Sequence, residues 1–194
     1  MFIKDWKKDI FTIPNLLSLF RLVLIPVYIA IYLHAQESMD YYLAGGILAI
    51  SCLTDMIDGK IARHFNMITS LGKLLDPVAD KATQFALILC LTLKVQNTFL
   101  WYLIGLFVLK ESFQLIAGGI RLRKGIVLKG ALMSGKICTT ILFLSLIVMV
   151  ILPDLKPNVV SVLAIVDGVF LLIAFVHYVI AYFCMDSKFE SLDE

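Results

Sequence analysis

Charge is scarce in this chain. Only 16% of its 194 residues are charged, against about 25% in an ordinary soluble domain. By contrast 60% are hydrophobic and the mean hydropathy is +0.92. This shortage excludes a soluble bundle and marks an integral membrane protein. Paired cysteines are missing too: Cys52, Cys90, Cys138 and Cys184 are scattered along apolar segments with no CxxC, which argues for buried, inert thiols rather than disulfides or a thiolate metal site. His34, His64 and His177 are too dispersed for a metal triad. No linker, low-complexity tract or repeat interrupts the chain, so residues 1–194 read as one domain. The N-terminus lacks the short apolar region and small-residue cleavage site of a signal peptide. Its first apolar run is long, follows Lys4, Lys7 and Lys8, and is expected to remain as an anchor.

Long apolar runs are present at Ile13 to Leu33, Tyr41 to Met56, Ala82 to Val95, Thr98 to Ile120, Ala131 to Leu152 and Val159 to Cys184. A span needs about 20 residues, so these runs predict an all-α protein of about six transmembrane helices, the second and third continuing into the polar segment between them. Placing Lys4, Lys7 and Lys8 in the cytoplasm puts Lys60, Arg63, His64, Lys73, Arg121, Arg123, Lys124 and Lys129 on the same side and leaves mainly Lys94 and Lys156 opposite. Both termini are then cytoplasmic. Because the basic residues follow topology, nothing supports nucleic-acid binding. Trp6 among charged residues gives residues 1–12 the character of a short interfacial segment. Residues 185–194 read as a cytoplasmic tail.

The polar segment carries the chemistry. Asp55, Asp58, Asp76 and Asp80 fall within or beside membrane helices, where a carboxylate is costly and faces a cavity or a partner. Spacings of three and four residues put Asp55 with Asp58, and Asp76 with Asp80, on common helix faces. If the two faces meet, each ionised pair at ~4 Å repels by about 4 kcal/mol at an effective dielectric of ~20. Such a cluster must take up protons or hold cations, and an all-oxygen donor set favours Mg²⁺, Mn²⁺ or Ca²⁺. Gly59 and Gly72 permit close approach of a ligand or helix, and Ala62 keeps the same face shallow. Arg63 offers five fixed donors to a phosphate or pyrophosphate. Pro77 suits the first turn of a helix, which makes Asp76 the expected N-cap of the third helix as well as a ligand.

In full the segment reads Asp55-x2-Asp58-Gly59-x2-Ala62-Arg63-x8-Gly72-x3-Asp76-x3-Asp80, and it resembles the signature of the CDP-alcohol phosphatidyltransferase family at every signature position. The resemblance implies a polar active-site cavity open to the cytoplasmic side of a bacterial cell membrane, a homodimer in contact with membrane lipids, and CDP-diacylglycerol as donor. It implies that Asp55, Asp58 and Asp76 hold Mg²⁺ or Mn²⁺ with Asp80 beside them, that Asp80 is the general base, and that Gly59, Ala62, Arg63 and Gly72 bind the CDP moiety. Attack by an acceptor alcohol would release CMP directly, without a covalent enzyme intermediate.

The acceptor is read from the fourth and fifth runs, where Lys110, Arg121, Arg123, Lys124, Lys129 and Lys136 concentrate. Such residues suit a phosphate on the acceptor. Lys110-Glu111, Gly119-Ile120-Arg121, Gly135-Lys136-Ile137-Cys138-Thr139 and the opening Ile13 to Arg21 are similar to phosphatidylglycerophosphate synthases, which use glycerol 3-phosphate. Lys110 stands where their pattern usually has arginine, and Cys138 where a lysine is common. The resemblance makes Arg121, Arg123, Lys136 and Lys110 the candidate acceptor-phosphate ligands. Phosphatidylglycerol as acceptor, as in a cardiolipin synthase, is the nearest alternative, ahead of serine or inositol-phosphate acceptors. A cation transporter is the alternative of a different class. Against it, the acids lie near one membrane face with Gly59, Arg63 and Gly72 interleaved. A soluble isoprenoid enzyme with paired aspartates is excluded by composition.

Overall fold

The computed structural model describes residues 12–64, 72–123, 126–128, 132–184 and 189–191; of residues 13–14, 55–64, 73–74, 126–128 and 189–191 it describes the backbone alone. The described residues form six helices: α1 (Ile13–His34), α2 (Ser38–His64), α3 (Gly72–Val95), α4 (Thr98–Arg123), α5 (Met133–Ile151) and α6 (Pro157–Cys184). Two short strands, β1 (Ile126–Leu128) and β2 (Phe189–Ser191), accompany them. Four of the helices, over Asn15–His34, Thr98–Arg123, Met133–Ile151 and Pro157–Cys184, are long and apolar enough to cross a membrane. The chain is therefore an all-α, multi-pass membrane protein. The helices α2 and α3 carry the acidic segment, into which both continue as the apolar runs predict. The expected interfacial segment at residues 1–12 lies almost wholly outside the described residues.

The chain divides into two compact units. The first holds α1, α2, α3 to Lys94 and the last turn of α5 from Ile147. Its plan follows from α1, which buries a polar stripe of Asn15, Ser18 and Arg21 that continues into Tyr28 and Tyr32. Leu16, Leu19, Phe20, Val23 and Val27 on its other faces are exposed, the distribution a helix adopts when lipid is as apolar as leucine and polar groups must find partners inside. After the turn at residues 35–37, α2 folds back along α1. Asp40 Oδ2 accepts the backbone N–H groups of Gln36 at 2.9 Å and Glu37 at 3.2 Å. These donors hold the Asp40 carboxyl, ahead of the apolar run of α2, below the usual carboxylate range.

Contacts between α1 and α3 advance together along both helices: Ser18 meets Asp76, Arg21 meets Asp80, and Tyr32 meets Lys94. The two helices are therefore parallel. Ser18 to Tyr32 and Asp76 to Lys94 cover roughly 21 Å and 27 Å at the α-helical rise, so the polar contacts pin opposite ends of the pair. At the far end, Lys94 Nζ donates to the carbonyls of Tyr32, at 2.9 Å, and Ala35. It also sits 4.9 Å from the Tyr41 ring centroid and 5.6 Å from that of Tyr32. The ammonium adds a donor to the carbonyls at the end of α1, that of Tyr32 also accepting the Ala35 N–H at 3.3 Å, and the aromatic faces favour its charge. Pro77 differs from expectation. It lies inside α3, which begins at Gly72, so Asp76 is an interior residue and not an N-cap. The reason is that proline this close to a helix start deprives only the Lys73 carbonyl of a donor.

The second unit holds α4, α5 to Leu146, α6 and the strands. Phe113 of α4 meets Phe175 and Tyr182 of α6 edge-on at 5.4 and 6.0 Å between ring centroids, within a cluster of Leu132, Tyr178, Ala181 and Tyr182. Asn97 donates to Ser161 at 2.9 Å, and Ser145 of α5 bonds to Asp167 of α6, which is buried to 1% exposure. The strands pair antiparallel, with Val127 opposite Glu190. Residues 189–191, within the expected tail, thus pair their backbone with the segment that follows α4.

The Lys94 cap carries a first prediction. Lys94→Met keeps the stem and removes the ammonium, and should lower stability by about 1–3 kcal/mol, read as a fall in the thermal unfolding midpoint in detergent. Lys94→Arg should retain most of it. A Lys94→Met midpoint equal to the parent's would show that the cap contributes nothing.

Candidate active site

Asp76 and Asp80, four residues apart, share one face of α3, and each is met by a side chain from α1. Ser18 Oγ donates to Asp76 Oδ1, and Arg21 Nη1 donates to Asp80 Oδ1 at 2.6 Å. The two donors are three residues apart, so the one-turn spacing on α1 matches the one-turn spacing on α3. Burial is uneven across these pairs. Ser18 and Arg21 are 0% and 2% exposed, Asp76 is half-buried, and the Asp80 side chain is 48% exposed.

The remaining signature residues lie on α2 and α3. Gly72 is buried at the first residue of α3. Asp55, Asp58, Gly59, Ala62 and Arg63 occupy the last turns of α2, and their side chains lie outside the described residues. Among the described residues no group of three or more His, Cys, Asp or Glu is placed to hold a metal ion; only two of the four acids are in that set. The donor chemistry nevertheless fits a hard cation, since Asp76 and Asp80 offer carboxylate oxygens from one face and no thiolate or imidazole is among the signature residues.

In the second unit the sequence-predicted basic residues divide. Lys110 is 2% exposed. Its Nζ donates to Glu111 Oε1 at 2.6 Å and lies 5.4 Å from the Tyr178 ring centroid. Arg121 donates to the Tyr182 carbonyl, with its guanidinium carbon 5.9 Å from the Tyr182 ring centroid. Two cations of α4 thus rest on two tyrosines one turn apart on α6. Arg123 and Lys136 are exposed, free of the burial that engages Lys110. The pairing with Glu111 offsets the Lys110 charge.

Sequence reasoning treated Ser18 and Arg21 as part of a familiar opening segment and did not link them to the acids. The available signal was the spacing of Asn15, Ser18 and Arg21 at one helical turn inside an apolar run. It also passed over Asp167, a lone acid within the last apolar run. Asp167 Oδ1 has no hydrogen-bond partner among the described residues. One acid with one serine is not a relay of the kind a cation path requires.

The family model described as CDP-alcohol phosphatidyltransferase matches residues 11–182. A CDP-diacylglycerol–glycerol-3-phosphate 3-phosphatidyltransferase of Aquifex aeolicus is 35% identical over 181 residues, which cover 91% of this chain and 98% of that protein. A cardiolipin synthase (CMP-forming) of Streptomyces coelicolor is 36% identical over 60% of this chain and 54% of its own length. A CDP-diacylglycerol–glycerol-3-phosphate 3-phosphatidyltransferase of Escherichia coli K12 is 41% identical over 37% of this chain and 38% of its own length.

The tyrosines of α6 also constrain α5. A Cβ at Gly135 would come within 2.5 Å of the Tyr178 hydroxyl oxygen and 2.9 Å of its ring, and Tyr178 is buried. Gly135→Ala should destabilise the protein by about 1–3 kcal/mol through overpacking. Adding Tyr178→Phe should restore only part of this, because the ring contact persists. A Gly135→Ala protein with the parent's thermal midpoint would contradict the close approach.

Proposed function

This chain belongs to the CDP-alcohol phosphatidyltransferase family, and from that membership we propose that it transfers the phosphatidyl group of CDP-diacylglycerol to glycerol 3-phosphate, giving phosphatidylglycerophosphate and CMP. It is an enzyme and a membrane-integral transferase of phospholipid biosynthesis. The observation that carries the donor half is the pair Asp76 and Asp80, presented on one face of α3 and bonded to buried donors of α1. They complete a signature whose other acids are Asp55 and Asp58. The acceptor half is supported by the relative from Aquifex aeolicus, matched over 98% of its length, and by Arg121, Arg123 and Lys136.

The chemistry follows from the residue types. Asp55, Asp58 and Asp76, with Asp80 beside them, would hold Mg²⁺ or Mn²⁺, which would neutralise pyrophosphate charge and stabilise the departing CMP. Arg63 supplies fixed donors to the pyrophosphate, while Gly59, Ala62 and Gly72 leave room for the CDP moiety. The acceptor hydroxyl is a weak nucleophile because it keeps its proton at neutral pH, so Asp80 accepts that proton as the hydroxyl oxygen bonds to the lipid-bearing phosphorus. The bond from that phosphorus to the bridging oxygen breaks, and CMP leaves with the electron pair. Arg121, Arg123, Lys136 and, offset by Glu111, Lys110 hold the acceptor phosphate. The site opens to the cytoplasmic side of a bacterial cell membrane, with both termini cytoplasmic, and the protein works as a homodimer.

A second reading, phosphatidylglycerol as acceptor, is favoured by the cardiolipin synthase of Streptomyces coelicolor, which matches 60% of the chain. Purified protein supplied with CDP-diacylglycerol and a panel of acceptors separates the two by product mass. Glycerol 3-phosphate should yield phosphatidylglycerophosphate, and free glycerol should be used poorly. Conversion of phosphatidylglycerol to cardiolipin, with glycerol 3-phosphate ignored, would overturn the first reading.

Within that reading, Lys136→Ala tests the phosphate site at an exposed position. Loss of one charge-assisted hydrogen bond should raise KM for glycerol 3-phosphate about 10-fold or more, with KM for CDP-diacylglycerol unchanged. An unchanged KM for glycerol 3-phosphate would remove Lys136 from the site.

A further inference from the structure

We infer that Arg21 and Ser18 are positioning residues for this reaction: buried pegs on α1 that fix the carboxylates of Asp80 and Asp76, an inference that rests on the proposed roles of those acids. Three observations carry it. First, an arginine kept only for membrane topology extends its head toward water, yet Arg21 is 2% exposed and its Nη1 is bonded to Asp80 at 2.6 Å. Second, a salt bridge that serves packing alone buries both partners. Here the guanidinium is buried and the Asp80 side chain is 48% exposed, so the donor is fixed in the protein while the acceptor remains accessible. Third, the pattern occurs twice in register. Ser18, 0% exposed, donates to Asp76 Oδ1 just as Arg21 donates to Asp80 Oδ1.

Each bond takes one oxygen of its carboxylate and so fixes the rotation of the group about its Cβ–Cγ bond. Reacting groups must be held within about 0.5 Å of productive geometry, and a free aspartate on a helix surface does not meet that condition. The far end of the α1–α3 pair has its own attachment, where Lys94 bonds to the Tyr32 and Ala35 carbonyls. Loss of a peg should therefore leave the two helices together while freeing the acids.

The test is a double-mutant cycle with an independent binding arm. Arg21→Gln should lower kcat by about 100-fold, leave both KM values within about threefold, and keep the thermal midpoint near the parent's; Arg21→Lys should recover part of the loss, because it restores the charge without the planar fork. In an Asp80→Asn background, Arg21→Gln should have little further effect on kcat, as expected for a residue that acts through Asp80. Ser18→Ala changes no charge and should weaken Mn²⁺ binding about threefold or more, measured by electron paramagnetic resonance on the purified protein. The inference is overturned if Arg21→Gln keeps kcat within twofold, if its effect is undiminished in the Asp80→Asn background, or if Ser18→Ala binds Mn²⁺ as tightly as the parent. A parent protein that releases no CMP from CDP-diacylglycerol would refute the proposed function instead, and the Mn²⁺ arm would still decide the role of Ser18.

Discussion

A carboxylate inside a membrane helix must have a partner, and the first unit is organised around that requirement. Water is not available along a lipid-facing surface to solvate an anion. The partners of Asp76 and Asp80 are Ser18 and Arg21, and supplying them commits one face of α1 to polar residues. The same face brings Tyr32 to Lys94 at the other end. The parallel alignment of α1 and α3, and the outward placement of Leu16, Leu19, Phe20 and Val23, follow from those contacts.

The second unit meets the same constraint with different chemistry. Its cations are sheltered by aromatic and backbone groups, Lys110 by Glu111 and Tyr178, and Arg121 by the Tyr182 ring and carbonyl. Gly118 and Gly135 leave the space those tyrosines occupy: a Cβ at Gly118 would meet the Tyr182 hydroxyl oxygen at 3.3 Å. The rings combine an apolar body with a face that attracts cations. Basic residues are thereby retained near apolar helices without neutralising every charge, and Arg123 and Lys136 remain exposed.

Much of this was legible in sequence because hydrocarbon imposes a simple rule on composition. Apolar runs located all six helices, and the acidic window identified the helix pair that carries the signature. What was not legible depended on contacts between residues distant in the chain. The spacing of Ser18 and Arg21 shows a polar face, but only the parallel packing of α1 and α3 reveals which acids it serves. Pro77 misled because proline is tolerated both at the first helical residue and shortly after it, and sequence alone does not separate the two. The ladder between β1 and β2 left no trace because three-residue strands lack a detectable period. Asp167 was overlooked because its partner among the described residues, Ser145, lies on another helix.

The central claim is that the acids of α2 and α3 exist to hold a divalent cation against a CDP-linked lipid. The most direct measurement is CMP release from CDP-diacylglycerol by purified protein in detergent, after exhaustive chelation and then with Mg²⁺ or Mn²⁺ restored. A cation-dependent phosphatidyl transfer predicts that chelation abolishes CMP release and that either ion returns it, without any ion gradient. Full turnover by metal-free protein would contradict it.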